Sequence, residues 1–171
     1  TGNNRVGMED VTLLGAHYGI GGATMAARGV EYLDVGPTLA GSLTGRPLPD
    51  RQIDFEDLFV FAGNFGASVM APPFALRRAN AEQAGAPEEF KLDAPSLVTA
   101  GQTVTATLRL RGGGRIQGFS AQLGWNAAVV EPIEMRSGLF IESQGGIVLS
   151  PRLGTVDAAL LGLRDVGITG E

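Results

Sequence analysis

Aspartates crowd the stretch Asp50-Arg51-Gln52-Ile53-Asp54-Phe55-Glu56-Asp57, just ahead of an apolar run. Hard Ca²⁺ takes six to eight oxygens, and a helical calcium loop supplies them from positions 1, 3, 5, 7, 9 and 12. With Asp57 at position 12, Asp50 falls at 5, Gln52 at 7 through its backbone carbonyl, and Asp54 at 9. Ile53, at position 8, is the apolar residue that ties such a loop to its neighbour. A contiguous loop would put Arg46 and Leu48 at positions 1 and 3, where neither is suitable. Asp34 instead reads as position 1 of a loop lengthened by the Gly, Pro, Ser and Thr-rich stretch 39–49. On this reading Asp57→Ala should abolish binding and fray the helix that follows. The competing reading is that Asp54 or Asp57 caps that helix while the other acids are solvated.

The same acid recurs in an earlier copy of the pattern. There Asp10 takes position 12, Gly7 position 9, Arg5 position 7 (through its backbone carbonyl) and Asn3 position 5. Thr1 falls at position 3, so this loop is either degraded or cut through by the start of the sequence.

Other groups offer little chemistry. The chain has no cysteine and one histidine, His17, which excludes thiolate nucleophiles, zinc fingers and disulfide scaffolds. Gly19-Ile20-Gly21-Gly22 follows a helix instead of a strand and lacks a Lys-Ser/Thr partner, so it is a poor phosphate loop. Trp125 lies on the apolar side of a strand pattern and reads as core before sugar platform. Glycoside hydrolysis needs two acids facing each other across a cleft, which neither the adjacent Glu88–Glu89 nor the scattered Asp157 and Asp165 provides. The expectation is a protein that is not an enzyme.

The elements that position these acids follow from periodicity. Residues 5–19 align with 52–66 at a constant offset of 47. Apolar residues in each copy recur at three- and four-residue spacing, as in Phe55, Leu58, Phe61, Ala62 and Phe65, which predicts an amphipathic helix of about three turns. Gly19 and Gly66 close the copies, and 23–30 is predicted as a further short helix. Residues 67–88, with Pro72, Pro73 and Pro87, read as a connection with one helical turn near 76–83. Beyond about Glu89 the period becomes two. A strand is predicted over 103–111, a turn at Gly112–Gly114 and a strand through Phe119, Ala121, Leu123 and Trp125. Short apolar runs follow at 128–133, 139–141, 147–149 and 156–163, which suggests a sandwich.

Composition bounds the rest. Hydrophobic residues are 44% and charged residues 18%, against disorder, and 26 glycines with nine prolines favour short elements. A net charge of −5 argues against a nucleic-acid surface. No apolar run of about 18 residues exists to span a bilayer.

Two module families are resembled. Residues 1–66 resemble a dockerin, a pair of EF-hand-like calcium loop–helix segments, through Val6-Gly7-Met8-Glu9-Asp10-Val11 and Ile53-Asp54-Phe55-Glu56-Asp57-Leu58. The second loop is stretched, and Arg51 stands where the family has glycine at position 6. Residues 89–171 resemble the beginning of a cohesin, a jelly-roll-like antiparallel β-sandwich, through 92–103, Ile116-Gln117-Gly118-Phe119-Ser120-Ala121-Gln122-Leu123-Gly124-Trp125-Asn126 and Val129-Val130-Glu131. Trp125 and Asn126 depart from the family's Tyr-Asp. The resemblance implies an α+β protein in modules, joined by the 67–88 linker, and a calcium-stabilised, non-catalytic scaffold, extracellular or at the cell surface. Its partners would be a cohesin- or dockerin-like protein or further copies of itself, as a homo-oligomer or filament completed by strand addition at open sheet edges. The alternative is a carbohydrate-binding accessory module of a polysaccharide-degrading protein, with polysaccharide as partner.

Overall fold

A computed structural model describes residues 3–68, 87–162 and 164–171. Among them the chain forms a mixed α+β protein of three helices and two small antiparallel sheets. The helices are α1 (Met8–Ala16), α2 (Gly22–Arg28) and α3 (Phe55–Gly63). The strands are β1 (Glu89–Asp93), β2 (Thr107–Gly113), β3 (Gly118–Gln122), β4 (Gly146–Leu149), β5 (Thr155–Leu160) and β6 (Thr169–Gly170).

The sequence repeat is also a structural repeat. Helices α1 and α3 start and stop at the same offset of 47, one residue after Gly7 and Asp54. The stretch before each helix bonds to the stretch after the other. Val6 donates its N–H to the Ala67 carbonyl (3.0 Å) and accepts from Gly66 (2.8 Å). In the equivalent pair, Ile53 donates to Ile20 (2.9 Å) and accepts from Gly19 (2.7 Å). The bridges Arg5–Ser68 and Gly21–Gln52 extend the same exchange. Each copy thus holds the other closed, and neither satisfies its own backbone alone. Gly19 (φ 79°) and Gly66 (φ 83°) turn the chain away in the left-handed region that favours glycine. The predicted helix at 23–30 corresponds to α2.

Strand order is β1-β2-β6 in one sheet and β3-β5-β4 in the other. Strand β5 is the central plank, covered on both sides. Ala159 joins the core of Leu14, Met25, Val30, Leu33, Ile53, Leu58 and Ala62 contributed by the helical repeat. Its neighbours Ala158 and Leu160 face the other way, into a second core with Leu110, Ile141 and Ile168. Burial on both sides explains the consecutive apolar residues Ala158, Ala159 and Leu160. The helical repeat and the sheet therefore share a core. Gly162 donates to the Ala62 carbonyl (2.8 Å), and Gly19 packs against Pro151.

Several strand expectations need correction. The predicted strand 103–111 begins at Thr107, because the β1 ladder ends at Asp93–Thr107 and Pro95 beyond it has no N–H to continue pairing. Gly112 and Gly113 belong to β2 instead of a turn, where a Cβ on Gly112 would collide with the Ile168 carbonyl. Strand β3 stops at Gln122, leaving Trp125 outside it and 41% exposed. Runs 128–133 and 139–141 form no strand, whereas 147–149 and 156–160 do. Alternation needs a neighbouring backbone to become a strand, and these runs lack one. The connection expected at 67–88, with its helical turn, lies for the most part outside the described residues.

Leu58 is fully buried where α3 meets β5. We expect Leu58→Ala to cost about 2–5 kcal/mol. In urea titrations the helical circular-dichroism signal and Trp125 fluorescence should shift together. Separate transitions would show that the shared core does not couple the two parts.

Candidate metal centre

Asp57 lies in the first turn of α3 and is 1% exposed. Its Oδ1 accepts the N–H groups of Val35 (2.6 Å) and Gly36 (2.8 Å), and its Oδ2 accepts that of Asp54 (2.9 Å). One carboxylate thus joins the N-terminus of α3 to the beginning of the long loop. Gly36 is needed for this closeness, since a Cβ there would meet the Glu56 and Asp57 backbone at 2.6–2.8 Å. Burial pushes the Asp57 carboxyl up to about 6; the three amides pull it down and Asp34 adds to the rise.

Asp34, also buried, accepts the N–H groups of Arg51 on Oδ2 (2.8 Å) and Asp50 on Oδ1 (3.3 Å). The two ends of the stretch 34–51 are thereby pinned together, while the insertion between them folds back onto α3 and the Leu43 carbonyl accepts from Asn64 (2.9 Å). Asp50 is exposed and accepts from the Gln52 N–H (2.9 Å), which closes a tight turn. Arg51 takes φ 71° at the position where the resembled family uses glycine. Asp54 caps α3 through the Glu56 N–H (3.1 Å). Burial raises its pKa, the Glu56 amide lowers it, and Asp50, Asp157 and Asp34 raise it further.

The first copy repeats this geometry in outline. Asn3 accepts from the Arg5 N–H (3.1 Å), Asn4 takes φ 61°, and Asp10 accepts from the Gly7 N–H (2.9 Å). Each matches its counterpart at 50, 51 and 57. His17 and Asn64 match too, each bonding back to a carbonyl four residues earlier, Leu13 or Val60 (3.0 and 2.9 Å). His17 is thereby a helix-end residue.

Among the described residues no three His, Cys, Asp or Glu side chains form a group that could hold a metal by themselves. The acids expected as ligands, Asp34, Asp50 and Asp54, each accept backbone N–H groups instead. Asp57, with three amides already on it, has the least capacity left.

One acid dismissed in the sequence is buried in the structure. Asp157, on β5, is 3% exposed and accepts the Tyr18 O–H on Oδ2 (2.9 Å). The signal available was an acid inside the apolar run Val156–Leu160. Burial, followed by the Asp157 charge, holds the Tyr18 phenol far above its ordinary range. Glu88, another of the four acids weighed for hydrolysis, is paired with Arg115 (2.6 Å). No helix among the described residues is long and apolar enough to cross a membrane.

In comparisons with protein-family models, curated proteins and solved structures, the chain matches none of them.

The folded pKa of Asp57 lies above its ordinary 3.8, so the folded state holds this proton more tightly than the unfolded one. Its contribution to stability is therefore present below about pH 4 and lost as pH rises through about 6. In calcium-free buffer, urea midpoints should carry this decline, and Asp57→Asn should flatten it. An unchanged slope in the variant would assign the decline to another group.

Proposed function

We propose that the chain is a non-catalytic, calcium-stabilised assembly protein with a dockerin-like, EF-hand-like repeat and a cohesin-like β-sandwich portion. The observation that carries this reading is the recurrence, at an offset of 47, of one loop design in both copies. A side chain at position 5 accepts the N–H of position 7, a left-handed residue follows at 6, and an acid at 12 caps the helix. Such a loop turns its carbonyls and short acids inward, which is what a hard cation requires. The second copy, with Asp34, Asp50, Asp54 and the Gln52 carbonyl, is the stronger site; the first offers Asn3, the Arg5 carbonyl and Asp10.

Assembly is supported by the uneven burial of the β portion. Between residues 87 and 140 only Leu110 is buried, while Leu97 (89%), Leu139 (79%) and Ile133 (71%) stand open. Apolar surface of this extent favours a protein partner, here a strand or face of another module outside the cell. Exposed Trp125 favours the second reading, stacking on a polysaccharide; glycan binding lost in Trp125→Ala would select it.

Calcium calorimetry on the whole chain tests the first reading. We expect saturable binding, weakened at least tenfold by Asp34→Asn or Asp50→Asn. Asp57→Ala should abolish binding and fray α3, because the loop loses the acid that ties it to the helix. Absence of binding in the unmodified chain would end the calcium reading. In sedimentation, calcium should favour larger species and chelator smaller ones; a monomer under both conditions would remove self-assembly.

A further inference from the structure

Strand β1 is a sheet edge. Among the described residues it pairs with β2 alone, in an unbroken antiparallel register from Glu89–Arg111 to Asp93–Thr107. Alternate residues of such a strand turn their N–H and C=O away from the paired neighbour. Edges of this kind are ordinarily blunted by a proline, a bulge or a charge on the core-facing side. Within its limits β1 carries none of these, and its core-facing side is Phe90 and Leu92. Phe90 lies opposite Leu110 of the second core and meets the Phe119 ring edge-on, with centroids 5.1 Å apart. Phe90 and Leu92 are exposed all the same, so among the described residues this core ends uncovered at β1.

The other side of β1 alternates in charge. Glu89, Lys91 and Asp93 stand there beside Arg109 and Arg111, in the ion pairs Lys91–Asp93 (2.9 Å), Arg109–Asp93 (2.7 Å) and Arg111–Glu89 (3.2 Å). This pattern complements itself best in one register. Antiparallel pairing with a second β1, centred on Leu92, sets Lys91 of each copy opposite Asp93 of the other. On the apolar side it sets Leu92 opposite Leu92 and Phe90 opposite Ala94. Centring on Lys91 opposes lysine to lysine and Glu89 to Asp93. Centring on Phe90 opposes Leu92 to Glu88, whose carboxylate is held by Arg115 (2.6 Å).

We propose that β1 is a self-pairing edge, through which two copies of this chain join about a two-fold axis into one continuous sheet. The pairing rests on the self-assembly reading above, and it gives that reading a surface, a register and a closed two-copy form.

The test uses the full chain with CaCl₂ present. The chain has no cysteine, so single cysteine substitutions report the register. On oxidation, Leu92→Cys meets its own counterpart across the axis and should form a linked dimer at least tenfold faster than Phe90→Cys or Lys91→Cys. In sedimentation, Leu92→Lys sets like charges against each other at the centre of the pairing and should shift dimer to monomer. Equal linking rates at the three positions, with Leu92→Lys sedimenting as the unmodified chain does, would overturn the β1 pairing and leave self-assembly to another face. The linking rates decide alone if Leu92→Lys does not fold. An unmodified chain that stays monomeric would overturn both the pairing and self-assembly.

Discussion

The Asp57 carboxylate is the constraint on which the helical part depends. It holds three backbone N–H groups, two from the start of the long loop and one from the cap of its own helix. An amide left unpaired in that interior costs about 1–3 kcal/mol, and bonds to an ionised acceptor are among the stronger hydrogen bonds. With Asp57 in place, Val35 and Gly36 lie against the first turn of α3, and Asp34 can reach the amides at 50 and 51. The insertion between folds back onto α3, with Leu43 against Gly63 and bonded to Asn64. Asp57 therefore looks inward, and the loop's remaining acids carry the burden of any cation.

The second organising feature is reciprocity between the copies. Each pre-helix strand finds its backbone partners in the segment after the other helix. A duplicated sequence can do this only when both copies keep the same helix limits, and α1 and α3 do. Strand β5 then serves as the floor, with Ala159 in the helical core and Ala158 in the sheet core. Docking and closure are thus parts of one packed arrangement.

The helices and the repeat were legible in the sequence because their determinants are local: apolar spacing, a cap acid and a closing glycine within about 15 residues. Strand limits were less so, since Thr103 and Trp125 continue an alternating pattern with no neighbour to pair with. Least legible was Asp157. Its partner, Tyr18, lies 139 residues away, and no periodicity encodes a hydrogen bond between distant elements. Asp57 was expected as the dominant calcium ligand of the loop; the amides that engage it come from Val35 and Gly36 across the insertion, which spacing alone does not reveal.

The claim that matters most is that a calcium ion is coordinated within the 34–57 loop. Anomalous diffraction from crystals grown with calcium locates such an ion without relying on affinity or stability. The account predicts a peak bounded by oxygens of Asp34, Asp50, Asp54 and the Gln52 carbonyl. A map at saturating calcium with no peak in that loop, or with the ion held only elsewhere on the chain, would contradict it.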